Sequence, residues 1–105
     1  MENLPNIHPG EVLREEYLHP LGLSAYRLAK ELEIPQTRVS AILNGRRAVS
    51  ADTAARLARY FRTTPQFWLN LQADYDLEEV SRAKQGELDR IQPRNDIPAD
   101  AKLDR

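Results

Sequence analysis

The 105-residue chain is 41% hydrophobic and 30% charged, which suits one globular domain with one core. It has no cysteine, so disulfides and thiolate metal sites are excluded and a reducing cytosol is the natural setting. No apolar run approaches the roughly 20 residues of a membrane span, and the start, MENLPNIHPGE, lacks the basic residues and apolar stretch of a signal peptide. The net charge of −1 is unevenly spread. Residues 34–63 carry six arginines (Arg38, Arg46, Arg47, Arg56, Arg59, Arg62) against Asp52 alone, and the segments on both sides are acidic. Such a distribution can set one positive face, suited to nucleic acid, on a nearly neutral molecule. Chance clustering of surface arginines gives the same count.

The pattern is helical throughout. A first helix is expected from Pro9 to Leu18, because proline suits a first helical position, where its missing N–H would be unpaired anyway. Val12, Leu13 and Tyr17 are its apolar side, and Pro20 and Gly22 should end it. Ser24 is placed to cap a second helix, with Leu23 stapled on Leu28. Ala25, Leu28, Ala29 and Leu32 fall at i, i+3, i+4 and i+7, the spacing of one buried helical face. Pro35 biases Ile34 away from helical geometry, so a third helix begins near Pro35 and buries Val39, Ile42 and Leu43. Asn44-Gly45 stops it, with Gly45 in the left-handed cap conformation. Ser50 caps a fourth helix whose stripe is Ala54, Leu57, Ala58 and Phe61. Thr64 caps a fifth, with Pro65 first, running to about Lys84 near Gly86 and packing through Phe67, Trp68, Leu71, Tyr75 and, at its far end, Val80. Trp68 is either core or dimer interface on this reading.

The expected fold is therefore all-α: a compact five-helix bundle over residues 1–85, with a flexible, largely irregular tail at 86–105. The tail is rich in Asp, Arg and Pro and too poor in large apolar residues to offset its own ordering entropy. A short strand paired with a partner or a dimer mate is the alternative there.

Residues 24–45 carry the chemistry. Two short helices joined by a tight turn are a helix-turn-helix, whose second helix enters the major groove with its N-terminal residues nearest the base edges. With Val39, Ile42 and Leu43 inward, Gln36, Thr37 and Ser40 face outward, Arg38 flanks them, and Asn44 lies further along. Gln pairs bidentately with adenine and Arg with guanine, so Gln36, Thr37, Arg38 and Ser40 are the candidate base readers. Ser24, Asn44, Arg46 and Arg47 are the candidate phosphate contacts. A helical hairpin with a merely solvated polar face is the competing interpretation. Arg56 and Arg59 read as surface or salt-bridge arginines.

LAKELEIPQTRVSAILNG resembles the Xre/Cro-type helix-turn-helix, which implies that the compact five-helix bundle is of the lambda-repressor/Cro-like type. The flanks, IHPGEVLREEYLHPLGLS before it and RRAVSADTAARLARYFRTTPQFWLNLQADYDL after it, resemble the HigA antitoxins, so the likeness covers Ile7 to Leu77. The resemblance implies a cytoplasmic bacterial or phage protein that dimerises and represses its own promoter by binding a palindromic operator. It also implies a HigB-like toxin partner, a RelE-type ribonuclease that cuts mRNA on the ribosome. It implies no enzyme activity and no cofactor in the antitoxin itself. Two positions depart from the family: Glu33 at the turn and Arg62 between the fourth and fifth helices stand where glycine is usual. A non-glycine residue in left-handed geometry costs about 1 kcal/mol.

His8 and His19 fit no metal-binding spacing and read as surface or helix-end residues. Dimer-interface candidates are Phe67, Trp68, Leu71 and Tyr75. Glu11, Glu15 and Glu16 give the first helix an acidic side suited to a basic toxin. A stand-alone regulator of the same fold, without a toxin, is the alternative function; an interaction module that has lost DNA binding is a third. No nucleophile–base pair or metal cluster can be assembled for an enzyme.

Overall fold

In the computed structural model, residues 4–98 are described, and among them there are five helices and no strand. Helix α1 spans residues 9–21, α2 is Ala25–Leu32, α3 Gln36–Leu43, α4 Ala51–Phe61 and α5 Pro65–Asp89. The expected all-α bundle is what forms. Its starts are set by short polar caps: the hydroxyls of Ser24, Ser50 and Thr64 accept the backbone N–H of Arg27, Thr53 and Phe67 at 3.0, 3.2 and 3.1 Å. A cap of this kind stabilises a helix by about 1 kcal/mol.

Helix α1 departs from expectation. It passes Leu18 and ends at Leu21, because Leu13–Leu18 widens into a π turn. The His19 N–H reaches back five residues to the Arg14 carbonyl. The wider turn accommodates the Pro20 ring, which in a regular helix would strike the carbonyl four residues back. Gly22, at φ 61°, then closes the helix: its N–H donates to His19 O at 3.1 Å, and Leu23 N–H to Leu18 O at 2.9 Å.

The same double bond ends α2 and α3. Glu33 and Ile34 donate to Lys30 and Ala29, and Gly45 and Arg46 donate to Ile42 and Ala41. Gly45 has φ 75°, as the Asn-Gly signal requires. Glu33, at φ 60°, and Arg62, at φ 61° after α4, adopt the left-handed conformation without being glycine. The turn keeps its usual shape and carries the strain.

The core gathers one face from each helix: Leu13 and Leu18 of α1, Leu28 and Leu32 of α2, Val39 and Ile42 of α3, Ala54 and Leu57 of α4, and Trp68 of α5. Leu43 and Phe61 are half-buried at its edge. Trp68 has 0% of its surface exposed; its indole N–H donates to Thr63 Oγ1 at 2.8 Å, and Tyr17 packs on it with ring centroids 5.2 Å apart. It belongs to the core of its own protomer and offers a dimer mate no surface. The reason is the short α4–α5 connection, which turns the first face of α5 inward.

Helix α5 also runs beyond the expected end. Lys84 leaves helical geometry (φ −131°, ψ 18°), yet the helix resumes across Gly86 to Asp89. Its 25 residues span about 37 Å at 1.5 Å per residue. The outer half is held by pairs four residues apart, such as Arg82 to Glu78 at 2.7 Å, and by the N-terminal segment, where Asn6 donates to Tyr75 O at 3.0 Å and to Glu79 at 2.9 Å. Of the tail expected at 86–105, residues 90–98 are turn, bend or irregular, and 99–105 lie outside the described residues.

Candidate nucleic-acid interface

Because α3 buries Val39 and Ile42, its opposite side is left to solvent. Gln36, Thr37 and Asn44 are exposed, Ser40 and Ala41 half-buried, and with Arg46 they line one shallow hollow of about 310 Å³. These residues form a single row along the helix, three and four apart. Side-chain amide, hydroxyls and guanidinium on one convex helix are groups that hydrogen-bond base edges and phosphates. Ala41 was not among the sequence candidates. It follows from the same periodicity, and as a small residue in the row it lets a surface approach.

Arg38 does not share that row. It lies on the flank facing α4, with 26% of its side chain exposed, and its Nη1 donates to Asp52 Oδ2 at 3.2 Å. The same oxygen accepts from Arg56 Nε at 3.0 Å, and Arg56 Nη1 donates to the Leu32 carbonyl at 2.8 Å. The Arg56 hydrogen bond, with a smaller contribution from Arg38, holds the Asp52 carboxyl below its usual range. Arg38, expected among the base readers, thus takes part in a link joining the end of α2, the side of α3 and the start of α4. Arg56 is the salt-bridge arginine expected of it.

The phosphate candidates surround the row. Ser24 sits at the start of α2 with its hydroxyl engaged in the cap; Asn44 ends α3; Arg46 and Arg47 follow, exposed, and form no ion pair among the described residues. A cleft of about 500 Å³ lies elsewhere, between the end of α2 and α4, but Glu31, Glu33 and Asp52 line it beside Arg56 and Arg59. Those carboxylates make it unsuited to a phosphate backbone.

The remaining candidates are dispersed. Glu11, Glu15 and Glu16 are exposed on α1, Glu15 lying 3.3 Å from His19. Leu71 and Tyr75 are half-buried and Phe67 is exposed at its edge, whereas Leu77 and Val80 are the more exposed apolar residues of α5. His8 caps α1: its Nδ1 accepts the Gly10 N–H at 2.9 Å. Pro9 at the first helical position was the signal for that role. Among the described residues no His, Cys, Asp or Glu cluster could hold a metal, and no helix is long and apolar enough to cross a membrane.

Five helices with a capped pair at 24–45 and a polar outer row on the second of them define a helix-turn-helix protein of the Xre/Cro-like class. The helix-turn-helix family matches residues 13–68. Virulence-associated protein I of Dichelobacter nodosus is 52% identical over 82 residues, covering 78% of this chain and 76% of that protein. The structure of a HigA-family addiction module antidote protein from Coxiella burnetii superposes with a TM-score of 0.82 at 48% identity, covering 87% of this chain and all of the other. The Pseudomonas aeruginosa antitoxin HigA, solved with the higBA promoter, gives a TM-score of 0.82 at 41% identity over 85% of this chain and 98% of its own. The chain belongs to the HigA-type proteins of the Xre-like helix-turn-helix family.

Proposed function

We propose that this protein is the antitoxin of a type II toxin–antitoxin pair. As a homodimer it binds a palindromic operator in its own promoter and represses transcription, and by protein–protein contact it neutralises a HigB-like, mRNA-cleaving toxin. The observation that carries the reading is the row Gln36, Thr37, Ser40 and Asn44, outward on α3 and continued by Arg46. Gln36, Thr37 and Ser40 read base edges; Ser24, Asn44, Arg46 and Arg47 contact phosphates on either side. The solved complex of Pseudomonas aeruginosa HigA with its promoter supports the DNA part by analogy.

Two copies present their α3 helices to sites one DNA turn apart, about 34 Å. The apolar surface for pairing is on α5, where Leu77 is 68% exposed and Val80 and Leu88 follow on the outer half. The acidic, exposed Glu11, Glu15 and Glu16 of α1 are the proposed encounter surface for a basic toxin, since charge complementarity speeds association.

Gel-shift titration of the duplex upstream of the gene tests repression, and growth rescue on co-expression with the product of the neighbouring reading frame tests neutralisation. Operator binding with rescue is the expected result. Operator binding with no toxic neighbour would instead make the protein a stand-alone regulator, and no binding at low salt would overturn the DNA-binding reading.

A further inference from the structure

The first turns of α1 grip the end of the reading helix. Gly10 lies so close to α3 that a Cβ there would sit 1.9 Å from the Ile42 carbonyl oxygen. Arg14 Nη2 donates to the Leu43 carbonyl at 2.6 Å, occupying an acceptor that the helix end leaves without an intrahelical partner. His8 makes the third contact. One ring nitrogen caps α1 through Gly10, and the ring packs edge-on against Tyr75 of α5 at 4.8 Å. A Cβ on Gly45 would touch the same ring at 3.8 Å. The loop after α3 is therefore lodged against an imidazole that is itself held by two other helices.

We propose that His8 is a positioning residue for DNA binding: its neutral imidazole, wedged between α1, Tyr75 and the Gly45–Arg47 loop, holds Arg46 and Arg47 at the phosphate-contacting edge of α3. The inference rests on the reading of Arg46 and Arg47 as phosphate contacts. Only the neutral ring fits the wedge. A proton on Nδ1 would confront the Gly10 N–H, donor against donor, and the cap would be lost. Burial keeps the ring neutral to lower pH than a free imidazole, against the opposing pull of Asp76 on α5 and of the Arg47 carbonyl. The other ionisable groups near it are the Tyr75 phenol on α5 and Glu11 on α1, whose N–H donates to the His8 carbonyl.

The test is binding of the protein's own promoter duplex, read by fluorescence anisotropy over a salt series. The full-length chain is compared with His8→Ala, His8→Asn and the double variant Arg46→Ala/Arg47→Ala. Each lost phosphate contact lowers the slope of log K against log salt by about 0.9. The double variant should lose about two such steps, and His8→Ala about one or more, with affinity down roughly tenfold. Asn retains a cap acceptor but cannot fill the wedge, so His8→Asn should restore thermal stability and not the slope. It carries the test if His8→Ala fails to fold. Wild-type affinity should also fall more steeply than that of His8→Asn as pH drops below about 6.5, because burial delays protonation of the ring. An unchanged slope in His8→Asn, or parallel pH profiles, overturns the positioning role. An unchanged slope in the double arginine variant overturns the phosphate reading itself, and the inference with it.

Discussion

Arg38 and Asp52 meet at 3.2 Å across the gap between α3 and α4, and Arg56 completes the group by bonding both Asp52 and the last carbonyl of α2. The arginine nearest the start of α3 therefore ties that helix to its neighbours. On the proposed function, base discrimination falls to the row on the other side of α3. Gln36→Ala should relax preference at one base position and cost about 1–3 kcal/mol of discrimination, whereas Arg38→Ala should lower affinity for all sequences alike. Competition binding with single-base operator variants separates the two. A position-specific loss in Arg38→Ala would return that residue to the reading edge.

The same link has a pH signature. Asp52 has its folded-state pKa below the ordinary 3.8, chiefly through the Arg56 hydrogen bond. Its contribution to stability is therefore complete above the unfolded value and is lost as pH falls through the folded one. Acid unfolding of Asp52→Asn should lack that part of the pH dependence. Superimposable acid-unfolding profiles for wild type and variant would remove Asp52 from the link.

Gly10 is required by distance, not by backbone freedom. Inside a helix, Gly→Ala ordinarily stabilises by about 1 kcal/mol. At Gly10 the added Cβ would fall 1.9 Å from the Ile42 oxygen, and a backbone atom cannot swing aside. Separating α1 from α3 should cost about 1–3 kcal/mol, as overpacking does. The urea midpoint of Gly10→Ala should fall, and an equal or higher midpoint would refute the close approach.

Much of this architecture was legible because its signals are local. Ser24, Ser50 and Thr64 announce helix starts, Asn44-Gly45 announces a stop, and the i, i+3, i+4, i+7 stripes of α2 and α4 name their buried faces. The rest needed a neighbour in space. Pro20 reads as a stop unless the π turn beneath it is known. The helical wheel puts Arg38 on a flank without saying that Asp52 waits there. Trp68 was open between core and interface because burial depends on how α5 folds back. Gly86 reads as an end of α5, yet the kink falls two residues earlier at Lys84 and the helix continues. His8 was readable as a cap from Pro9, but its contacts with Tyr75 and the Arg47 loop join segments far apart in the chain.

Trp68 is the only tryptophan, so its emission reports this burial directly. Enclosed by the chain's own core, it should emit at short wavelength and keep that spectrum on dilution through dissociation of the proposed dimer. A red shift on dilution, before any loss of helicity, would return it to an interface.

Glu33 and Arg62 occupy left-handed positions that glycine fills without strain. The strain of an L-residue there is about 1–2 kcal/mol, and the extra freedom of glycine in the unfolded chain offsets about 0.5–1 kcal/mol of the relief. Glu33→Gly and Arg62→Gly should therefore each stabilise the protein by up to about 1 kcal/mol. The two turns are at opposite ends of the α3–α4 stretch and share no hydrogen bond, so their effects should add. Gly22 supplies the control. It has φ 61° and open space where a Cβ would go, so Gly22→Ala meets no atom and suffers only the backbone conformation. It should destabilise by about as much as the other two stabilise. Urea unfolding of the three variants checks the set. If Glu33→Gly lowers the midpoint while Gly22→Ala also lowers it, the Glu33 side chain makes a contact whose worth exceeds its backbone strain, and the turn of the DNA-binding motif is stabilised by glutamate despite its conformation.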